Sequence, residues 1–295
     1  MRKLLLATVA SGTLLAGAAV PASAADLRAV PAPAPAFVAP VAPVAAFTWS
    51  GAYIGGNVGG IWGKHDFDPV TATLVAGPAA GSECAGGVVF GACGFSLTTD
   101  RDSSVIGGFQ VGDRWQFGQW VIGVEQDTQW TNVKNTFVLG AATPFTPGGP
   151  FLEGDAFEAR LKFLSNTRLQ AGVAFDRFLV YAAGGLATGV MDVTAFYGPR
   201  SGANATPGYA ITDDNKFHVG WTVGGGVEWA ITDNCSFGVE YRYTELGHET
   251  YNLGSFGFSN GRNFTTTADV DFRSHEVIGR LNFKTQPLLA MFGIH

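Results

Sequence analysis

Three sets of residues in this 295-residue chain are of types that could do chemistry. The first is histidine: His65, His218, His248 and His275. Brought together they could ligate a transition metal or a haem iron, because neutral imidazole is a common ligand; apart they are four solvated side chains. The second is cysteine. Cys84 and Cys93 are close enough in sequence to form a disulfide in an oxidising compartment, whereas Cys235 has no evident partner. The third set lies toward the C-terminus: Ser274, His275, Asp269 and Asp271. These are the residue types of a hydrolase triad, but a triad is assembled in space and sequence neighbours do not make one. Glu125 and Asp127 read better as ion-pair partners than as an acid–base couple. Neither a Cys/His metal spacing nor a phosphate-binding glycine loop is present; Gly55-Gly56 and Gly224-Gly225-Gly226 sit inside strand patterns. No enzyme activity and no cofactor is expected.

The elements that position these groups follow from composition and pattern. Charged residues make up 14% of the chain and hydrophobic ones 46%, with 41 Gly and 23 Phe. Such a chain is not disordered, and glycine at this level disfavours long helices, at about 1 kcal/mol per residue relative to alanine. The net charge of −6 and the absence of a Lys/Arg cluster give no reason to expect nucleic acid. Met1-Arg2-Lys3, an apolar run and Ala22-Ser23-Ala24 read as a secretory signal peptide over residues 1–24. Residues 25–48 form a Pro/Ala-rich periplasmic linker containing Pro31, Pro33, Pro35, Pro40 and Pro43. As a polyproline II spacer it would reach roughly 50 Å, enough to touch peptidoglycan; the plainer alternative is an unstructured leader. No later apolar run is long enough for a membrane helix.

From Trp49 onward the period is two. In 216–230, Val219, Trp221, Val223, Val227 and Trp229 oppose His218, Thr222 and Glu228; in 236–244, Phe237, Val239, Tyr241 and Tyr243 oppose Ser236, Glu240 and Arg242. In 160–175, Leu161, Phe163, Leu169, Ala171, Val173 and Phe175 oppose Arg160, Lys162, Asn166, Arg168 and Gln170. The runs 120–130, 103–115 and 275–283 behave alike, placing Glu125, Asp127 and Gln129, then Gln110 and Arg114, then Glu276, Arg280 and Asn282 on their polar faces. Two glycine-rich strands, 52–63 and 179–192, bring the number to eight. Short turns near 116–119, 176–177 and 232–234 alternate with long loops near 65–102, 131–157, 193–217 and 245–274. That alternation predicts an all-β fold, an eight-stranded antiparallel up-and-down transmembrane β-barrel.

Parity alone does not say which face is inside. The seven Trp decide it: Trp49, Trp62, Trp115, Trp120, Trp130, Trp221 and Trp229 fall at or near the ends of the expected strands, as two interfacial girdles require. The apolar faces then meet lipid. Inside lie Glu125, Asp127, Glu228, Glu240 and Glu276 with Arg114, Arg160, Lys162, Arg168, Arg242 and Arg280. Such charges must pair, and an eight-stranded barrel leaves room only for side chains. A plugged lumen is therefore expected rather than a wide pore. Closure makes the first, sixth, seventh and eighth strands neighbours, so the four histidines fall on one rim.

Several segments resemble a known family. Trp49-Ser50-Gly51-Ala52-Tyr53-Ile54-Gly55-Gly56-Asn57-Val58-Gly59 is similar to the first strand of the small alphaproteobacterial outer-membrane β-barrel proteins, the porin-family, opacity-like, immunodominant group. Gly107 to Gly112, Val124-Glu125-Gln126-Asp127, Ala174-Phe175-Asp176-Arg177-Phe178, Gly220 to Glu228 and Glu240-Tyr241-Arg242-Tyr243 resemble its later strands. The resemblance spans 49–284. It implies a protein of the cell outer membrane with a role in envelope integrity and surface exposure; haemin binding is known for some members. The implied partners are outer-membrane lipid and lipopolysaccharide and the barrel assembly machinery. The domain layout expected is signal 1–24, linker 25–48, barrel 49–285 and tail 286–295. A small passive porin, or a surface binder of haem or other ligands through its loops, is the alternative function. Two departures stand out. Cys235 occupies a position where the family usually has an aromatic residue, and the tail extends beyond the last strand.

Overall fold

The computed structural model describes residues 47–76, 92–140, 151–199, 207–257 and 263–285. Nine strands appear among them: β1 (Gly51–Ala76), β2 (Ala92–Thr98), β3 (Asp102–Phe117), β4 (Trp120–Val138), β5 (Ala156–Phe175), β6 (Phe178–Tyr197), β7 (Tyr209–Ala230), β8 (Cys235–Gly257) and β9 (Asn263–Lys284). Each pairs antiparallel with its neighbour in order, except that β2 pairs only with β1, and β1 pairs with both β3 and β9. Eight strands thus close a ring. The seven-residue β2, which periodicity did not reveal, adds a flap to one end.

The short turns fall where expected. Gly118, at a φ of +62°, makes the left-handed corner between β3 and β4 that a side chain would strain. The long loops do not. Most of their length is strand: β1 runs 26 residues and β8 runs 23, against the 9–11 that cross a bilayer. The ring therefore continues well beyond the membrane as an extension at the long-loop end.

The extension is visible in the sequence as a reversal of polarity. Along β9 the inward residues read Phe264, Thr266, Ala268, Val270 and Phe272, mostly apolar, then Ser274, Glu276, Ile278, Arg280 and Asn282, mostly polar. The outward residues read Asp269, Asp271 and Arg273, then Val277, Leu281 and Phe283. Apolar residues face inward in the extension, as in a soluble barrel, and outward below it, as in a membrane. The buried core of the extension includes Phe67, Leu161, Met191, Leu246, Tyr251 and Phe272.

The switch is marked by aromatic rings on the outer wall. Trp130 packs between Phe109 and Phe163 at 5.8 and 6.2 Å between centroids, and Tyr243 between Trp221 and His275 at 5.4 and 5.3 Å. A second ring, at the short turns, includes Trp115, Trp120, Phe175, Phe178 and Trp229. From Trp120 to Trp130 the rise is about 26 Å at a tilt of roughly 40°, the height of a lipid-facing belt. On β1 the crossing segment is 54–62. Trp49 belongs to neither girdle, contrary to the expectation for all seven Trp: it is 3% exposed and lies inside the short-turn mouth.

Candidate functional site: the charged lumen and its closures

Between the girdles the inward face is small or charged. Inward glycines make room; a Cβ on Gly112 would stand 2.5 Å from the Tyr53 ring, and one on Gly226 would stand 2.9 Å from the Tyr181 hydroxyl. Large charged side chains fill the space so released. Arg168 lies at the centre, its guanidinium meeting Glu125 at 2.6 Å, Asp127 at 3.2 Å, and Glu240. Arg280 bridges Glu125 and Glu240, the latter at 2.5 Å. Arg242 meets Glu240 at 3.0 Å, Asp127 at 3.1 Å and Glu276 at 3.4 Å. Nearer the short turns Arg114 grips Glu228 through both terminal nitrogens, at 3.0 and 2.8 Å, and donates from Nε to Gln170.

Neutral groups complete the network. The Tyr53 hydroxyl donates to Glu125 at 2.5 Å and the Tyr181 hydroxyl to Glu240 at 2.7 Å, while Arg280 donates to Tyr181 at 3.0 Å. Asn282 donates to Glu228, and Gln110 to Asn282. These five carboxylates and four arginines are each at most 3% exposed. Each charge thus has opposite charges within contact, the condition for tolerating it in a dry interior. Tyr53 and Tyr181 escaped the sequence reading because alternation is blurred by glycine in β1 and β6, whereas Gln110 and Asn282 lie inward, on the polar faces that period two assigns them. The parity of Tyr53 with Gly55 and Asn57 was the available clue.

Both ends are closed. At the short-turn mouth the Trp49 backbone N–H donates to Gln116 at 2.7 Å and its indole N–H to the Asp176 carbonyl at 3.1 Å. Its ring lies 5.8 Å from the Arg114 guanidinium and meets Phe47 edge-on at 5.2 Å. Lys284 and Arg177 flank Phe47 at 4.8 and 5.1 Å. A partly open pocket remains at this mouth, lined by Phe47, Trp49, Arg114, Asn234 and Lys284 among others, with about 20 Å³ of space, room for one water. At the other end the apolar core of the extension caps the network.

Arg160 and Lys162 are not in the lumen. They face outward above the belt and share Asp192, at 3.1 and 2.6 Å. A bulge between Leu161 and Phe163 in the β5–β6 register inserts one residue and turns the alternation over. Leu164, Asn166 and Arg168 point inward on one side of it, and Leu161, Ala159 and Phe157 on the other. Unbroken period two could not foresee that.

The four histidines do not form a rim cluster. His65 is buried in the extension, with Nδ1 2.6 Å from Asn135 Oδ1, and burial pushes its pKa down to about 4. His218 is also buried, with Nδ1 against the Gly247 carbonyl and Nε2 against the Tyr251 hydroxyl. His275 faces outward in the girdle, 2.7 Å from the Tyr241 hydroxyl, and His248 is exposed on β8. Among the described residues no group of three or more His, Cys, Asp or Glu is placed to hold a metal ion.

Ser274 and His275 point to opposite faces: Ser274 Oγ donates to Glu276 inside the barrel, and Asp269 and Asp271 lie on the outer wall of the extension. No Ser–His pair exists there. Cys235 is a half-buried free thiol opposite Phe283. Cys84, the side chain of Cys93, the linker up to residue 46 and the tail 286–295 lie outside the described residues.

Comparison with known proteins agrees with this architecture. The family model of the outer membrane protein β-barrel domain matches residues 13–264. The 31 kDa outer-membrane immunogenic protein of Brucella melitensis is 33% identical over 251 residues, covering 84% of this chain and 88% of that one. The 25 kDa outer-membrane immunogenic protein of Brucella abortus is 27% identical, covering 92% and 96%. Among solved structures, the outer membrane protease OmpT from Escherichia coli gives a TM-score of 0.41 at 10% identity, covering 82% of this chain and 99% of that one. The family model and the Brucella relatives agree with the wall polarity, the girdles and the closed antiparallel ring: the chain belongs to the outer-membrane β-barrel protein family.

Proposed function

We propose that this protein is a closed, structural component of the outer membrane that displays its loops on a rigid stalk, and that it is neither an enzyme nor a diffusion pore. The observation that carries this reading is the lumen: nine charged side chains, none more than 3% exposed, fill the cross-section between the girdles. Both described ends of the ring, Phe47 and Thr285, sit at the short-turn mouth, which is the periplasmic arrangement; the extension then faces the exterior. Its apolar core keeps the strands paired for roughly 30 Å beyond the lipid, about 40 Å along β9 from His275 to Asn263 at a tilt of roughly 40°. Loops held on such a stalk are fixed in position and clear of the headgroups, which suits surface contacts and accords with relatives that are named outer-membrane immunogenic proteins.

Single-channel recording in a planar bilayer tests the closed lumen. The purified protein should give no stable openings. Long-lived, ohmic openings would support a passive porin instead. Protease shaving of intact cells tests orientation separately: cleavage should fall in the loops of the extension and spare the short turns.

A further inference from the structure

Charge is unevenly spread over the outer wall. Between the girdles no Lys or Arg among the described residues faces outward. Just beyond the long-loop girdle, Lys134 on β4 stands directly opposite Arg160 on β5, and Lys162 follows one step nearer the membrane. Lys134 and Arg160 are 47% and 42% exposed. Like charges opposed across two strands weaken their pairing, so sheet stability does not account for them. The nearby carboxylates only partly neutralise the patch. Glu158 meets Lys134 at 2.8 Å, while one oxygen of Asp192 serves both Arg160 and Lys162. The other Asp192 oxygen accepts the Asn215 backbone N–H at 2.9 Å. Three cations thus face two carboxylates. Across the barrel, at the same height, the balance is reversed: Lys64 and Arg273 lie among Asp66, Asp271 and Glu245.

The height of the patch identifies its partner. Lys134–Arg160 lies three register steps above the Trp130–Phe163 pair, about 10 Å along the strands. That is the level of headgroup anions above an aromatic girdle.

We propose that Lys134, Arg160 and Lys162 form a docking surface for the phosphate or carboxylate groups of an outer-leaflet glycolipid, the headgroup of lipopolysaccharide. The Arg160 fork can take two oxygens of one anion, the lysines act as point charges on either side, and Trp130 and Phe163 lie against the acyl chains below. The proposal rests on the orientation given above, which protease shaving tests independently.

The experiment uses the full chain in phosphatidylcholine nanodiscs, with rough lipopolysaccharide and inorganic phosphate as probes and retained lipid read by native mass spectrometry. The K134Q/R160Q variant should bind lipopolysaccharide at least tenfold more weakly, and K64Q/R273Q within twofold of the parent. E158Q, which frees Lys134, should bind severalfold more tightly. Unchanged binding by K134Q/R160Q, or an equal loss in K64Q/R273Q, would overturn the proposal. So would competition by inorganic phosphate as effective as by the lipid, which would indicate a site for free anions. Should K134Q/R160Q lose its heat-modifiable gel mobility, E158Q decides, and no tightening there refutes the docking surface.

Discussion

Removing the guanidinium of Arg168 should be among the most damaging single changes to this barrel. Arg168 is 1% exposed and contacts Glu125, Asp127 and Glu240 together. Arg168→Met keeps most of the side-chain volume and deletes the charge, so packing changes little. What remains is three carboxylates in a dry interior with one shared cation fewer. Loss of one partner from a buried ion pair costs about 3–5 kcal/mol, because the survivors keep their desolvation penalty without the compensating attraction. Arg280 and Arg242 still touch these carboxylates, which argues for the lower part of that range. Arg160→Met is the internal control. It breaks a half-exposed pair on the outer wall, for which at most about 1 kcal/mol is expected. The assay is reversible urea unfolding in lipid vesicles, followed by tryptophan fluorescence and heat-modifiable mobility. Adding Glu240→Gln to Arg168→Met should recover part of the loss, giving a coupling energy of roughly 0.5–3 kcal/mol. If Arg168→Met falls within 1 kcal/mol of the parent, or no worse than Arg160→Met, the lumen network is not what excludes water and the closed-lumen reasoning fails.

Three further outcomes follow from the same geometry. Trp49→Ala should cost about 3–5 kcal/mol by removing a buried indole from the short-turn mouth, yet leave the protein non-conducting in planar bilayers, because the ion-paired layer lies deeper. Phe272→Ala should cost a similar amount, but locally: limited proteolysis should nick the extension while the belt stays protected, and uniform loss of both would show that the extension has no core of its own. His65 is held neutral in the extension at a pKa of about 4, by burial first, opposed by its bond to Asn135 and aided by His218. Because the folded value lies below the unfolded one near 6.5, its neutral state supports folding fully above pH 6.5, and that support is lost as pH falls toward 4. The limit is about 3 kcal/mol. Amide protection in β1 beyond Trp62, taken relative to the intrinsic exchange rate at each pH, should fall between pH 7 and 5, and His65→Asn should flatten that change.

Much of this molecule is legible in one dimension. Strict alternation, aromatic residues at two heights and short turns between long connections dictate an antiparallel barrel with apolar groups against lipid. These are local properties of strand geometry and of the solvent on each face. The same logic places Glu125, Asp127, Arg168, Glu228, Glu240, Arg242, Glu276 and Arg280 inside, because each shares parity with small or polar residues opposite an unambiguous lipid face. Tertiary structure alone decided the rest. A single extra residue near Lys162 turned Arg160 outward, and no sequence period reports a bulge. The stretches that resemble loops are strands because their apolar residues meet those of other strands across the ring; the reversal of polarity is written along each strand, but the burial that rewards it is not local. The histidines near the rim were split between core, wall and solvent for the same reason: in a strand, direction is set by parity and register, and register is settled only when the ring closes.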